Sequence, residues 1–268
     1  MVPTSWTWEP IPPPSRGRCA RSATTVVGRV TIPGATAAPA SASRSCWRPC
    51  RSRVPSWKNP TATDVPASTL LIFGAGGHGR VVADAALAQG RWDRIRASDR
   101  DPARVGEAFL PGLRVEAPQE AAAQATQVHV AIGSAPARER ECAALGLPLA
   151  TVVHPHASVS PFAIVGEGSF LAARSVVAPG ARLGRSVIVN HGAVVDHDAE
   201  VGDFAHVAPG ATLGGQVRIG ARVLVGAGAH LLSGVRVAAG VVIGAGAVVL
   251  GDLEAPGTYA GVPARRVR

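Results

Sequence analysis

Between Ile164 and Leu253 the chain is hydrophobic at one fixed position in every six. The stretch divides without a gap into IVGEGS, FLAARS, VVAPGA, RLGRSV, IVNHGA, VVDHDA, EVGDFA, HVAPGA, TLGGQV, RIGARV, LVGAGA, HLLSGV, RVAAGV, VIGAGA and VVLGDL. The second position is Val, Leu or Ile in every hexad, and the sixth is small or aliphatic. A period of six matches neither the 3.6 of an α-helix nor the 2 of an ordinary strand. It predicts a triangular parallel β-helix: each hexad makes one flat face, three hexads make a coil, and the aliphatic residue points inward. Glycine at the corners supplies the backbone conformations that the turns need.

Upstream the pattern differs. Residues 69–79 read as a strand running into a glycine turn, and GRVVADAALAQG as an Ala-rich helix closed by Gly90. A weaker strand near 94–98 leads into the acidic turn SDRDP. VHVAIGS (128–134) is a buried strand ending in glycine, and APARERECAALG a second helix. Strand, helix, strand, strand, helix predicts a small Rossmann-like α/β unit with a parallel sheet. The fold class expected is therefore α/β plus β-solenoid. Residues 67–150 would form the α/β domain and 151–268 the solenoid. Residues 1–66, rich in Pro, Arg, Ser and Ala with no helix or strand period, read as a disordered low-complexity tail, or as residues ahead of a true start at Val65.

Charge changes the picture little. The formal net charge is +9, but residues 1–68 hold nine basic side chains against only Glu9 and Asp64. The remaining 200 residues carry 18 basic against 16 acidic side chains, so no nucleic-acid surface is expected. Cys19, Cys46 and Cys50 fall in the tail and Cys142 stands alone, with no zinc-module spacing. A reduced, cytoplasmic protein without a membrane span or signal peptide is expected.

A repeat makes its exceptions legible. VNHGAVVDHDAEVGDFAHVAPG gathers Asn190, His191, Asp196, His197, Asp198, Asp203 and His206 within about one coil. His197 takes the fourth position of its hexad, an outward or corner place, flanked by Asp196 and Asp198. A carboxylate beside an imidazole orients it and stabilises its protonated form, as a general base toward an amine or hydroxyl requires. His206 could bind a ligand or a neighbouring chain. His191 and His230 read as surface residues, and His154 and His156 as capping an inter-domain junction. Gamma-class carbonic anhydrases share the solenoid shape and bind zinc through three histidines, but the close histidine pair of that pattern is missing, so no metal is expected. In GAGGHG, between strand and helix, Gly74, Gly76 and Gly79 satisfy G-x-G-x-x-G. Such a loop lets backbone N–H groups approach a phosphate at a helix N-terminus. His78 inside it suits a diphosphate, and Asp99 is the nearest candidate for a ribose contact. A nucleotide or nucleotide sugar fits better than a dinucleotide.

The blocks FGAGGHG, VAIGS, VHPHASVSP, VNHGAVVDHDAEVGDFAHVAPGATLGG and YAGVPARRV together resemble the NeuD/PglD family of sugar acetyltransferases over about residues 69–268. The resemblance implies a left-handed β-helix, acetyl-CoA as acetyl donor and a homotrimer with active sites between chains. It implies His197 as general base assisted by Asp198. It places His206, Gly215, Ala227 and Ala245 against acetyl-CoA. Gly76, Gly77, His78, Gly133 and Asp99 would hold the nucleotide part, with Asn190 near the acceptor. Family members often carry an acidic cluster after the second strand where this chain has ASDRD. The expected reaction is N-acetylation of a nucleotide-linked amino sugar. Alternatives are O-acetylation of a sialic acid or related glycan sugar, and a non-catalytic nucleotide-sugar-binding protein.

Overall fold

The computed structural model describes residues 68–267. The expectations for residues 1–66 lie outside them. Strands β1 (Thr69–Phe73), β2 (Arg94–Ser98), β3 (Ala108–Leu110), β4 (Leu113–Glu116) and β5 (Gln127–Val130) form one sheet in the order β3-β4-β2-β1-β5. Helices α1 (Gly77–Gln89), α2 (Pro118–Ala123) and α3 (Ala135–Leu145) accompany it. β1 is buried at every residue, as an unbroken apolar run in the middle of a parallel sheet should be. α1 closes on Gly90, whose left-handed backbone returns its N–H to Ala86 and Leu87.

The sheet is not wholly parallel, which corrects the sequence reading. β3 and β4 form an antiparallel hairpin around Pro111–Gly112, and β4 pairs parallel with β2. Strands of three and four residues are too short to show a period, so only the Pro-Gly turn betrayed them.

The six-residue spacing runs from β6 (Val152–Val153) to β22 (Val248–Val249), so the solenoid begins two hexads before Ile164. VVHPHA and SVSPFA form its first turns. Their inward Val153 and Val159 are only half-buried, because this end of the stack has no coil above it. His154 and His156 therefore sit on a corner of the first coil rather than on a linker, with His154 Nδ1 accepting from the His156 N–H at 3.0 Å.

The strands stack into three parallel sheets, hereafter faces 1, 2 and 3. Face 1 starts its strands at Val152, Phe170, Ile188, His206, Leu224 and Val242; β23 (Thr258–Ala260) and β24 (Arg265–Arg266) extend it. Face 2 starts at Ser158, Val176, Val194, Thr212, His230 and Val248. Face 3 starts at Ile164, Arg182, Glu200, Arg218 and Arg236. The second and sixth hexad positions fill the axis: Val177, Ala181, Val195, Ala199, Leu213 and Val217 are buried. Each such Val or Leu contributes about 1.5–3 kcal/mol by leaving water. From Gly168 to Gly246 the fifth position turns left-handed whatever residue stands there. Glycine takes it in many hexads, but so do Arg174, Ser186, Asp198, Phe204, Gln216 and Arg222, at a strain of about 1–2 kcal/mol each.

The three faces differ outside. The first strands of face 1 are covered by the α/β unit, where Val82, Ala83 and Ala86 of α1 pack with Val152, Phe170, Ala172 and Ile188, while Leu224 further along the face is exposed. Face 3 presents Arg182, Glu200, Arg218 and Arg236. Face 2 presents Ser158, Val176, Val194, Thr212, His230 and Val248, with no Lys, Arg, Asp or Glu at these outward positions. Among the described residues, no helix is long and apolar enough to cross a membrane.

Candidate active site

The glycine loop opens at the C-terminal end of the parallel strands, where ligands of such sheets bind. Gly76 caps α1 without a side-chain hydrogen bond, so the first N–H groups of the helix have no partner from a capping side chain. A Cβ at Gly76 or Gly77 would meet open space, whereas one at Gly79 would run into the carbonyl of Gly74. The loop thus closes on itself at Gly79 and opens outward at Gly76 and Gly77. A cavity of about 400 Å³ lies there, lined by Gly76, Gly77, His78, Asp99, Arg100, Arg104, Ile132 and Gly133 among others. Five of the sequence-derived positions converge on it.

Asp99 lines this cavity and also braces the glycine loop. Its Oδ2 accepts from the Ala75 N–H at 2.7 Å and pairs with Arg104 at 3.1 Å, and its Oδ1 accepts from the Asp101 N–H at 3.1 Å. Arg104 also donates to the Ala75 carbonyl at 2.9 Å. Asp99 and Arg104 together fix the glycine loop. Arg100, paired with Glu141, and Arg104, paired with Asp99 and Glu107, also line the cavity, a feature sequence reasoning missed. The signal was present: Asp101 caps the short turn Pro102–Arg104 and so aims Arg104 back at the loop.

Beneath the cavity lies a cluster of imidazoles. His206, on β15 (His206–Val207) of face 1, holds its Nε2 at 3.3 Å from the Asn190 amide nitrogen and bonds the Gly133 backbone. Burial and the nearby Arg138 charge push it down to about 4. His78 packs edge-on against Phe170 and 6.3 Å from His206; burial, then neighbouring histidines and Arg138, push it down to about 3. Its Nε2 is buried with no partner among the described residues. His129 donates to the Ala150 carbonyl across 2.9 Å and is pushed down to about 4 by burial. All three are neutral at pH 7, each with one donor and one acceptor nitrogen.

His197 stands elsewhere. It sits on the corner between β13 (Val194–Val195) of face 2 and β14 (Glu200–Val201) of face 3, more than half exposed. Its N–H is capped by Asp196 Oδ1 at 2.7 Å, and its Nδ1 lies 2.9 Å from Asp198 Oδ2. That contact puts the proton on Nδ1 and leaves the Nε2 lone pair free. The Asp198 hydrogen bond, then the Asp196 and Asp198 charges, raise its pKa. The ring lies over Gly215 of the next coil: a Cβ there would come within 2.6 Å of Cε1 and nearer still to Nε2. Asp198 in turn lies against Gly180 of the previous coil, where a Cβ would crowd its carboxylate. The left-handed corner at Asp198 turns this carboxylate back beside the ring.

A three-sided prism separates these groups. The corner between faces 2 and 3 is opposite face 1. Within one chain His197 and Gly215 therefore lie across the solenoid from the glycine-loop cavity and His206. Ala227 and Ala245 share a third location with Asn190, the corner between faces 1 and 2, where the Gly246 N–H donates to the Ala227 carbonyl. The sequence-derived acetyl-CoA residues are thus split between two corners and one face.

A solenoid of hexapeptide repeats carrying a carboxylate-assisted corner histidine, joined to an α/β unit with a phosphate-type loop, defines the class of hexapeptide-repeat acyltransferases. Family models agree: residues 69–145 match the PglD N-terminal domain, 163–197 the hexapeptide repeat of succinyl-transferase, and 216–251 the bacterial transferase hexapeptide. Among solved structures, the acetyltransferase domain of PglB from Neisseria gonorrhoeae, in complex with acetyl coenzyme A, is 38% identical. The match covers 75% of this chain and 100% of that one with a TM-score of 0.69. PerB from Caulobacter crescentus, in complex with CoA and GDP-perosamine, is 32% identical over 77% of this chain and 100% of that one, also at 0.69. WeeI from Acinetobacter baumannii, at 24% identity over 75% of this chain and 100% of that one with a TM-score of 0.69, shares the fold. A comparison with curated proteins finds no match. The chain belongs to the NeuD/PglD family of sugar acetyltransferases.

Proposed function

We infer that the protein transfers the acetyl group of acetyl-CoA to the amine of a nucleotide-linked amino sugar, at sites shared between chains of a homotrimer. The observation that carries the reading is the His197–Asp198 pair, with its free Nε2 aimed over Gly215. His197 takes the proton from the amine as the nitrogen attacks the thioester carbonyl. Asp198 stabilises the resulting imidazolium. The Gly215 N–H has no partner among the described residues and lies under the ring, a suitable donor to the developing oxyanion. Collapse of the tetrahedral species expels CoA as its thiolate, which takes up the proton. No enzyme nucleophile is required.

The faces favour the trimer. Face 1 is partly covered by the α/β unit and face 3 is charged, so face 2, free of Lys, Arg, Asp and Glu at its outward positions, is the one that association would bury. Three copies packed by face 2 around a threefold axis bring the 2–3 corner of one chain against the 1–2 corner of the next. His197 and Gly215 would then meet the neighbour's Asn190, Ala227 and Ala245, reuniting groups that one chain holds apart. The nucleotide reading rests on the Gly76–Gly77 opening and the arginines that line it, and PerB's GDP-perosamine supports it. Thiol release from acetyl-CoA with a panel of nucleotide-linked amino sugars and sialic acids tests it. Turnover with a nucleotide-linked amine supports it. Turnover with sialic acid alone makes the protein an O-acetyltransferase. Nucleotide-sugar binding without turnover leaves a non-catalytic binder.

A further inference from the structure

Arg138 of α3 is 1% exposed, and its five donors all end on backbone carbonyls. Nε donates to Ser186 at 3.0 Å, Nη1 to Ile132 at 2.8 Å and Gly133 at 3.1 Å, and Nη2 to Ala205 at 3.3 Å and to Phe204. Ile132 and Gly133 are a wall of the nucleotide cavity. Ala205 immediately precedes His206, and Ser186 lies one coil earlier. One guanidinium therefore ties the cavity wall to two successive coils of the solenoid. Only Arg has the rigid fork of donors for this; Lys offers a compact point charge with three. None of its hydrogen bonds goes to a carboxylate, so its charge stays largely uncompensated.

We propose that Arg138 is a positioning residue for the acceptor site, and that His206, bonded to the Gly133 wall, serves this site rather than acetyl-CoA: Arg138 locks that wall to the backbone carrying His206 and sets a fixed positive charge behind both. This rests on the nucleotide-linked acceptor reading. His206 faces His78 from the head of α1 and Arg138 from α3; His78 in turn feels His129 from β5, His191 from the 1–2 corner and Arg138, with Asp99, Arg100 and Arg104 lining the cavity. The acids do not figure in what shifts His206; burial and then Arg138 lower it to about 4. Burial draws Arg138 itself down to about 10, so it stays positive at neutral pH. The imidazoles beside the cavity are thereby kept as neutral donor–acceptor groups rather than cations.

The test compares wild type, Arg138→Lys and Arg138→Met, reading kcat and both KM values for the accepted nucleotide-linked amine, and following His206 by NMR titration. Arg138→Lys should raise the acceptor KM about tenfold, about 1.4 kcal/mol, because three donors cannot replace five. The KM for acetyl-CoA and kcat should stay within about twofold. Arg138→Met should also move His206 up toward its ordinary value near 6.5 and give the acceptor KM an acid limb. A merely structural role predicts equal losses in all parameters, following the folded fraction. That result, or a wild-type His206 that titrates near 6.5, overturns the proposal. If Arg138→Met does not fold, the Lys variant and the wild-type titration decide. If wild type acetylates no nucleotide-linked acceptor, the proposed function fails, while UDP and GDP binding by Arg138→Lys, with the same titrations, still judges Arg138.

Discussion

Gly215→Ala is the most informative single substitution. Its Cβ would stand 2.6 Å from Cε1 and 3.1 Å from Cδ2 of His197, with Nε2 closer than either. Ordinary contact begins near 3.4 Å, so the ring must withdraw by about 1 Å. The three atoms nearest that Cβ all belong to the His197 ring. Gly215 is not in the left-handed region, and Ala227 and Ala245 occupy the same fourth position of their hexads. A misplacement of about 1 Å at a reacting group lowers the rate about 10²-fold, equivalent to about 2.7 kcal/mol of transition-state stabilisation. The expected variant melts within a few degrees of wild type and binds nucleotide sugar normally, but loses about 10²-fold in kcat. Steady-state thiol release, thermal melting and calorimetric nucleotide binding together read this. Unchanged kcat in a folded variant would refute the placement of His197 over Gly215 as the catalytic geometry.

Asp198→Asn removes the contact that raises the His197 pKa. The base must be neutral to act, so activity falls as pH drops through that pKa; the acid limb of kcat/KM should move to lower pH, with kcat down by about 10²-fold. Val194→Glu puts a charge in the middle of face 2, so light scattering should show the assembly dissociating and activity lost while circular dichroism keeps its β signature. Asp99→Asn weakens the Ala75 and Arg104 contacts, so the KM for the nucleotide-linked acceptor should rise severalfold with the acetyl-CoA KM unchanged.

The solenoid was legible because one rule repeats: inward Val, Leu or Ile at the second position leaves a trace that local propensity cannot blur. The same rule isolated DHD, since a stack of small residues has no packing use for a histidine there. What stayed hidden depends on distance in sequence. The β3–β4 hairpin is too short to carry a period. Arg138 was invisible because its partners are backbone carbonyls 5–67 residues away, which no side-chain pattern encodes. Sequence spacing also could not say that His197 and His206, nine residues apart, lie on opposite sides of a prism. That follows only from counting corners around a coil.

The central claim is amine acetylation by His197. The most direct measurement is thiol release from acetyl-CoA with a nucleotide-linked amino sugar and with its analogue bearing a hydroxyl in place of the amine, for wild type and His197→Ala. Turnover of the amine alone by wild type is the predicted result, falling at least about 10²-fold in a variant that still binds both nucleotides. Equal turnover of the hydroxyl analogue, or undiminished turnover by His197→Ala, would contradict it.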